Sequence, residues 1–367
     1  MRVALCTKWI DEPYTGVGLY TRQLAAHLAE LAGREDIELT LVHKDASDDP
    51  LYRRAREVRY SALPGPLWVV SQEAALRRLA ATVDVVHEPY IGVRRKLAAR
   101  QVVTVHDTMP LDFPEHAPAS FRAYFRRAMP RVLDRADAVL VNSNTTKEDV
   151  LRHFDVPREK VHVTYLGSDH VAPAGQGGQR VREGLGLGGA PYFLAVGTSG
   201  TKNLPATFAA FRAFRSGHEK AVRLVVAGRL PRAAARQVRE DPGLAGAVVE
   251  LGHLPSEALP AVYEGSLAVV HPALYEGFGF VPLEAMRLGV PAVVSGRGAL
   301  AEVCGGAALV APPDDPEAVA AAMASLTDPG ERARWVARGR ARAEAFLWRN
   351  TAMGTVLVYR RLASGAG

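Results

Sequence analysis

Short apolar runs alternate with amphipathic segments along the whole chain, and this alternation restricts the fold more than any other feature. The first half contains strand-like runs at 2–7, 37–42, 84–87, 101–106, 138–142 and 161–166. The second half repeats the pattern at 192–196, 224–227, 248–251, 267–270, 292–295 and 308–310. Strands that alternate with helical segments are typical of parallel sheets. We therefore predict an α/β protein with two doubly wound, Rossmann-like domains that face a central cleft.

The chain is longer than one domain usually is. With 367 residues, it is expected to form two domains. A Gly- and Pro-rich stretch near residue 175 has no hydrophobic periodicity, which is typical of a linker. We predict an N-terminal domain over 1–172, a linker over 173–180 and a C-terminal domain over 181–345. The last segment, 346–367, carries Trp348, Val356 and Tyr359 on a predicted helix that packs back on the first domain.

Composition and charge exclude several classes of protein. The two cysteines, Cys6 and Cys304, lie far apart, and no apolar run reaches membrane-spanning length, so we predict a cytoplasmic protein. The net charge of +6 comes with arginine clusters at 53–56, 94–96 and 122–131. Because no zinc finger, helix-turn-helix or aromatic-interleaved platform accompanies these clusters, we predict no nucleic-acid partner. The clusters are either solvated surface or a site of peripheral contact with the inner membrane face.

The stretch 271–291 contains the most informative local pattern. Glu276 and Glu284 flank a turn at 277–279, and a helix is predicted to begin near Pro282. A helix start offers free N–H groups and a positive dipole end to an anion, whereas a carboxylate accepts hydroxyl groups. Phosphate together with hydroxyls indicates a nucleotide sugar, with one glutamate on the ribose and one on the hexose. The alternative is a solvated helix start whose acidic residues are favoured by the dipole.

Three further segments are candidate site elements. Gly16 to Gly18 precede a predicted helix over 19–31, where a backbone can approach a ligand closely. The segment 197–203 combines small residues with Lys202 before another predicted helix, which indicates a second phosphate cradle without a Walker motif. His106 and Asp107 end a predicted strand. They either polarise a substrate hydroxyl or form a packed histidine and a capping aspartate.

These motifs occur in an order that resembles the retaining glycosyltransferases of family four, which have the GT-B fold. The resemblance covers nearly the whole chain, and the bacterial mannosyltransferase-like members are the most similar group. The motifs that carry it lie at 16–18, 106–107, 142–144, 165–167, 196–204, 227–228, 251–252, 276–286, 289–291 and 302–303. The pair of glutamates at 276 and 284 is the most specific of these features.

The resemblance implies a role for each matching position. Lys202 would neutralise the leaving diphosphate, Glu276 would hold the transferred sugar, Glu284 the ribose, and His106 would lie near sugar and acceptor. The implied catalytic residues are His106, Asp107, Lys202 and Glu276. The implied donor-binding residues, many of which act through their backbone, are Gly16, Val17, Gly197, Thr198, Arg229, His253, Leu254, Gly277, Phe278, Gly279, Phe280, Val281 and Glu284. Family members commonly have an arginine before the lysine, where this chain has Thr201, and Arg229 is a candidate replacement.

We therefore predict transfer of a hexosyl unit from a nucleotide-diphosphate sugar to a hydroxyl acceptor, with retention of anomeric configuration. The resemblance favours GDP-mannose as the donor, followed by a UDP-sugar. No Asp-x-Asp metal ligand is evident, and neither a metal nor a cofactor is expected beyond the nucleotide sugar itself. The acceptor is a saccharide, a lipid-linked saccharide or a small natural product. The alternatives are a non-catalytic nucleotide-sugar-binding protein and a GT-B nucleotide-sugar epimerase.

Overall fold

A computed structural model describes residues 1–11, 15–44, 47, 49–60, 68–90, 95–217 and 221–365. Part of the predicted loop before Gly16, residues 12–14, and one member of the arginine cluster at 94–96, Arg94, lie outside the described residues. None of the helices found in the described ranges is long and apolar enough to cross a membrane.

The described chain contains thirteen strands and fourteen α-helices. The strands are β1 Arg2–Cys6, β2 Glu38–Lys44, β3 Arg56–Tyr60, β4 Val85–Glu88, β5 Arg100–Val105, β6 Ala138–Val141, β7 Val161–Val163, β8 Tyr192–Val196, β9 Arg223–Ala227, β10 Val248–Gly252, β11 Ala268–His271, β12 Ala292–Val294 and β13 Leu309–Val310. The helices are α1 Gly16–Ala32, α2 Trp68–Leu79, α3 Met109–Asp112, α4 Ala119–Arg135, α5 Asn144–His153, α6 Gly178–Gly184, α7 Leu204–Gly217, α8 Arg232–Glu240, α9 Leu259–Glu264, α10 Phe280–Arg287, α11 Leu300–Cys304, α12 Pro316–Ser325, α13 Pro329–Ala343 and α14 Trp348–Ala363.

These elements form two compact units, each built on one parallel sheet. The first unit contains Met1–Gly167 and Leu347–Gly367, and the second contains Ser168–Phe346. The first sheet has the strand order β3-β2-β1-β4-β5-β6-β7, and the second has the order β10-β9-β8-β11-β12-β13. All strand pairs in both sheets are parallel. The two doubly wound α/β units predicted from the sequence are confirmed.

Each sheet reverses its winding direction between two neighbouring strands, and such a point leaves a crevice at the carboxyl ends of the strands. In the first sheet the reversal lies between β1 and β4, and in the second it lies between β8 and β11. The central strand β11 is buried at every position, as expected for a parallel sheet that is covered on both faces. The loops that follow β8 and β11 are therefore brought together at the switch point of the second sheet.

Strand β3 is the one sheet element that the sequence patterns missed. Three of its five residues, Arg56, Glu57 and Arg59, are charged, so the run lacks the apolar pattern of a buried strand. It pairs only with β2, at the edge of the sheet, where charged side chains face solvent and discourage further pairing. Part of the arginine cluster at 53–56 thus begins an edge strand.

The Gly-rich segment predicted as a linker over 173–180 is partly helical. A turn of 3-10 helix at Gly175–Gly177 leads into α6. Ala174 N donates to Glu264 Oε1 at 3.2 Å, and Arg182 Nη1 donates to the carbonyl of Ala261 at 3.2 Å. These contacts with α9 hold the segment in the second unit, which begins at Ser168. Glycine has low helix propensity, and tertiary contacts override it here.

The C-terminal helix α14 belongs to the first unit, as predicted. Trp348 and Tyr359 are fully buried there. The Tyr359 hydroxyl lies 2.6 Å from His87 Nδ1 on β4. His87 Nε2 lies 2.8 Å from Thr104 Oγ1, which in turn lies 2.9 Å from the Tyr20 hydroxyl. Burial lowers the pKa of His87 from 6.5 to about 3, so this polar chain through the core is uncharged at neutral pH.

Candidate active site

Two loops meet at the switch point of the second sheet. The loop after β8 and the loop after β11 are joined where Leu274 N donates to the carbonyl of Thr201 at 2.8 Å. Asn203 adopts a left-handed conformation with φ of 57°, and its Nδ2 donates to the carbonyl of Pro272 at 3.1 Å. Asparagine tolerates this conformation better than most residues do. The two loops therefore form one fixed structure, although Asn203 and Pro272 lie 69 positions apart in the chain.

Lys202 and Glu276 form an ion pair in this structure. The Lys202 ammonium contacts Glu276 Oε1, and His271 Nε2 donates to the same oxygen at 2.8 Å. The side chains of Lys202 and Glu276 are 21% and 15% exposed, so a ligand can reach both of them. Burial alone would raise the pKa of Glu276, but the Lys202 charge and the His271 hydrogen bond outweigh it and lower this pKa from 4.5 to about 2. Glu276 is therefore ionised at physiological pH.

The backbone around Glu276 is held by the segment that precedes α11. Ala299 N donates to the carbonyl of Glu276 at 2.9 Å. Gly298 has a φ of +59°, and a Cβ at this position would lie 2.6 Å from the Glu276 carbonyl oxygen. Any larger residue would displace the Glu276 backbone, so the close approach requires glycine.

The turn at 277–279 leads directly into α10. Gly279 has a φ of +104° and precedes the first helical residue, Phe280, two positions before the start predicted from Pro282. A Cβ at Gly279 would lie 2.7 Å from Leu300 Cδ2, so glycine is again required. The first N–H groups of a helix have no partner within the helix, and at this end the dipole is positive. The start of α10 thus offers anion-binding groups four residues after Glu276, the partner of Lys202.

Glu284 lies within α10 and is only 8% exposed. The Tyr263 hydroxyl donates to Glu284 Oε2 at 2.8 Å. His170 Nε2 donates to Glu284 Oε1 at 3.0 Å. Each carboxylate oxygen thus has one protein donor, and an oxygen of this kind can accept more than one hydrogen bond. The helix ends as predicted, with Gly289 in a left-handed conformation and Val290 N donating to the carbonyl of Ala285 at 2.8 Å.

Comparison with known proteins identifies the family. The family model described as Glycosyltransferase Family 4 matches residues 14–171, and the model described as Glycosyl transferases group 1 matches residues 190–328. Together the two models match most of the chain. The chain belongs to the family 4 glycosyltransferases.

Known glycosyltransferases resemble this chain in sequence and in fold. It is 29% identical to O-antigen chain mannosyltransferase B of Escherichia coli over 389 aligned positions, which cover 99% of this chain and 100% of that protein. The solved sucrose-phosphate synthase of Thermosynechococcus elongatus matches with a TM-score of 0.78 and 22% identity, over 100% of both chains. HepE of Anabaena in complex with UDP-glucose matches with a TM-score of 0.73 and 16% identity, over 100% of this chain and 99% of that one. These structures support the GT-B fold predicted from the sequence.

The remaining predicted donor-binding residues of the glycosyltransferase lie along the carboxyl ends of β8, β9 and β10. The Lys202 stem passes Gly197, where a Cβ would lie 3.4 Å from Lys202 Cε. Gly228 has a φ of +138°, and a Cβ at this position would lie 3.0 Å from Thr198 Cγ2. Arg229 is exposed, and its role as a donor contact and as a replacement for the family arginine stays a prediction. The last two predicted donor-binding residues follow β10. His253 is exposed, and Leu254 is half-buried.

The predicted site residues of the first unit have different surroundings. His106 is 8% exposed, and its Nε2 donates to the carbonyl of Pro89 at 2.7 Å. Its ring meets Tyr20 edge to face, with 4.8 Å between centroids. Burial lowers the pKa of His106 from 6.5 to about 4, so the ring is neutral. Asp107 Oδ1 accepts a hydrogen bond from Met109 N at 3.0 Å. These are the contacts of a packed histidine and a capping aspartate, and the catalytic roles stay predictions.

Gly16 and Val17 form the start of α1, three residues before the predicted helix start. Thr15 caps this helix by accepting a hydrogen bond from Gly18 N at 3.0 Å. Both Gly16 and Val17 keep exposed surface, so their backbone remains accessible to a ligand. Their role in donor binding also stays a prediction.

Sequence reasoning did not assign three residues that contact the paired glutamates, namely His170, Tyr263 and His271. His271 had a signal, because a histidine at the end of an apolar strand needs a polar partner. His170 lies 114 positions before Glu284 in sequence and Tyr263 lies 21 before it, so no local pattern connects them. Within the described ranges, no group of three or more histidine, cysteine or acidic residues is arranged to hold a metal ion.

Proposed function

We propose that this glycosyltransferase moves a hexosyl unit from a nucleotide-diphosphate sugar to a hydroxyl acceptor and retains the anomeric configuration. The observation that carries the proposal is the pairing of Lys202 with an ionised Glu276 beside the start of α10, with the buried Glu284 one turn further along that helix. The likeness to an O-antigen chain mannosyltransferase favours a mannosyl donor such as GDP-mannose. The likeness to HepE, solved with UDP-glucose, makes a UDP-sugar the second donor to test.

In the proposed reaction, the bond between the anomeric carbon and the diphosphate oxygen breaks. The electron pair leaves with the diphosphate, so negative charge grows on the leaving group. The Lys202 ammonium and the N–H groups at the positive end of the α10 dipole stabilise that charge more in the transition state than in the ground state. The acceptor hydroxyl attacks the same face of the sugar, and its proton passes to the departing phosphate oxygen.

Glu276 has a different role in this proposal. Its low pKa keeps it ionised, so it accepts hydrogen bonds from sugar hydroxyls and does not act as a proton donor. The proposal includes no glycosyl-enzyme intermediate, because the hydrogen bond from His271 and the Lys202 charge reduce the nucleophilicity of the carboxylate. It also needs no resident metal or cofactor, since Lys202 supplies positive charge at the leaving group.

Thermal unfolding in the presence of nucleotides tests the donor class. A ligand at about a hundred times its dissociation constant stabilises the folded protein by roughly 2.7 kcal/mol. GDP, UDP, GDP-mannose and UDP-glucose are compared, and we expect a selective rise in melting temperature with one nucleotide. Product formation with the selected donor is then followed by NMR, which reports the anomeric configuration, with and without EDTA. An inverted product or loss of activity in EDTA would contradict the corresponding part of the proposal.

One observation favours a second candidate, a non-catalytic nucleotide-sugar-binding protein. Thr201, where relatives commonly carry arginine, is buried, and its carbonyl is used by Leu274 N. The leaving group therefore lacks one bidentate donor. Binding of a nucleotide sugar without transfer or hydrolysis would support this candidate. Conversion of the sugar nucleotide in the absence of any acceptor would instead indicate an epimerase.

We also propose peripheral contact of the first unit with an anionic membrane surface. The apolar face of α4 packs in the core through Phe125, Met129 and Val132, so it is not available for insertion. Arg126 and Arg127 are exposed on the other face. Contact through these side chains would be electrostatic and screened by salt. Cosedimentation with anionic vesicles at low and at high salt tests it, and equal binding to neutral vesicles would contradict it.

A further inference from the structure

Three separate segments converge on the Glu284 carboxylate. Tyr263 comes from α9, His170 from the segment that opens the second unit, and Glu284 itself from α10. The Tyr263 side chain is fully buried, and the side chains of His170 and Glu284 are 9% and 11% exposed. Burying a carboxylate among polar side chains costs folding free energy unless each polar group has a hydrogen-bond partner.

His170 is itself held in place. Its ring meets Phe280 edge to face, with 5.8 Å between centroids. Two residues earlier, Ser168 N donates to the carbonyl of Phe346 at 3.0 Å, and Arg287 Nε donates to Ser168 Oγ at 3.3 Å. The segment that carries His170 thus contacts α10 at two points, where the His170 ring meets Phe280 and where Ser168 meets Arg287. The direction of its Nε2–H donor is fixed by the fold rather than by a flexible side chain.

The two donors divide the carboxylate between them. The Tyr263 hydroxyl donates to Oε2 at 2.8 Å, and His170 Nε2 donates to Oε1 at 3.0 Å. Burial, together with the charge of Glu284, raises the pKa of Tyr263 well above its usual range, so its hydroxyl stays protonated and donates. Each oxygen keeps acceptor capacity for one further hydroxyl. Two fixed oxygens with one open position each match two adjacent hydroxyls on one ring.

We propose that Tyr263 and His170 are positioning residues that aim the two oxygens of Glu284 at the two ribose hydroxyls of the nucleotide, and that they set the preference for ribonucleotides over deoxyribonucleotides. This inference rests on the proposed function, because it takes Glu284 as the ribose ligand. It adds two residues, in two other segments, to the donor site.

The test measures nucleotide affinity by isothermal titration calorimetry. The probes are GDP and UDP, each compared with its 2′-deoxy and 3′-deoxy forms. A hydrogen bond to a charged group corresponds to about tenfold or more in affinity, so the wild-type protein is expected to prefer the ribonucleotide by about that factor. Tyr263→Phe and His170→Leu should each reduce the preference to about threefold or less. His170→Gln keeps an N–H donor and should retain most of it.

A matched control separates positioning from folding. Tyr192 is also a buried tyrosine of the second unit, and its hydroxyl donates to the carbonyl of Val262 at 2.7 Å. Tyr192→Phe removes the same group as Tyr263→Phe does, with a comparable loss of stability, but it leaves Glu284 untouched. The ratio of the two affinities should be unchanged in this control, because a loss of stability alone affects both ligands equally.

The outcomes are distinct. An unchanged preference in both Tyr263→Phe and His170→Leu, with wild-type discrimination intact, overturns the positioning role and leaves the proposed function standing. Equal affinity of the wild-type protein for ribonucleotides and deoxyribonucleotides overturns it as well, because Glu284 then does not bind the ribose. A folded wild-type protein that binds none of the nucleotides overturns the proposed function and the positioning role together.

Discussion

The two units share one sheet architecture but differ in the chemistry at the carboxyl ends of their strands. In the second unit, Lys202, Glu276 and Glu284 place charges there, and each has a defined partner. In the first unit, His106 at the end of β5 is buried, neutral and hydrogen-bonded to the carbonyl of Pro89. A fixed charge is useful where charge develops in a reaction. The leaving-group stabilisation that we propose therefore depends on the second unit, whereas the His106 ring of the first unit is neutral.

The largest effect is expected from Lys202. Lys202→Ala should lower kcat by about 10²–10³-fold, because the growing charge on the diphosphate loses its only lysine in this loop. Initial rates of transfer, with the donor selected by thermal unfolding, measure the effect. Lys96→Ala is the matched control in the first unit, where Lys96 Nζ lies 2.7 Å from Asp137 and the lysine is 48% exposed. If Lys202→Ala and Lys96→Ala had comparable rates of transfer, the proposed stabilisation of the leaving group by Lys202 of the second unit would be wrong.

The two units should also differ in how their stability depends on pH. The pKa of Glu276 is lowered from 4.5 to about 2, so its stabilising ionisation is complete above pH 4.5 and is lost as the pH falls toward 2. The pKa of His106 is lowered from 6.5 to about 4 and that of His87 to about 3, so stability falls below pH 6.5 as the unfolded chain gains protons at both positions. The pKa shifts of Glu276 and His106 each correspond to at most about 3.4 kcal/mol.

Urea unfolding at a series of pH values tests these ranges. His106→Phe, which keeps an aromatic ring against Tyr20, should reduce the loss of stability in the upper range without abolishing it, because His87 remains, and should leave the lower range unchanged. Lys202→Ala should move the loss in the lower range to higher pH, because the Glu276 carboxylate no longer has its cation. If His106→Phe and Lys202→Ala altered both ranges alike, the separate contributions assigned to His106 and Glu276 would be wrong.

A smaller effect is expected for catalysis by His106→Phe. If His106 shapes the acceptor side, transfer should fall by about tenfold through misplacement of the acceptor, while nucleotide affinity stays unchanged. His106 is already neutral near pH 6.5, so its ionisation should not affect the rate there. The pH–rate profiles of the wild-type enzyme and of His106→Phe should therefore have the same shape near pH 6.5. Calorimetry and pH–rate profiles report the two quantities separately. A loss of nucleotide affinity would contradict the division between the units.

The smallest effect is expected for Tyr359→Phe. This change removes the hydroxyl that contacts His87 Nδ1 in the first unit and should cost about 1 kcal/mol of unfolding free energy. Nucleotide affinity and the Lys202-dependent rate should not change, because the site of the second unit does not use this contact. Met353→Ala on the exposed face of the same helix is the control for helix substitution. A change in nucleotide affinity in Tyr359→Phe alone would reveal coupling between the units.

Much of this fold can be predicted from the sequence because a parallel sheet buries both faces of its central strands. Runs such as those of β8 and β11 are continuous and apolar, and they were predicted within a residue or two. The edge strand β3 was missed, since its charges face solvent. Helix α6 was missed because its stability comes from contacts with α9 and not from its Gly-rich sequence.

The same distinction applies to the candidate site. Glu276, Glu284 and Lys202 lie next to glycine-rich turns, and such turns are local features that a sequence displays. His170 and Tyr263 become partners of Glu284 only through the tertiary fold. The environment of His106 was also undetermined, because the same His–Asp pair is compatible with a reactive or a packed ring. Its depressed pKa follows from burial, which is a property of the folded chain.

The return of α14 to the first unit has a consequence for biosynthesis. Because His87 finds its partner in Tyr359, 272 positions later, the nascent first unit leaves the ribosome without the helix that completes its core. Translation proceeds at about 5–20 residues per second, so the incomplete core waits for on the order of ten seconds or longer while the second unit is made. The second unit is continuous in sequence and can fold during that interval. The unit that emerges first is therefore the last to be finished.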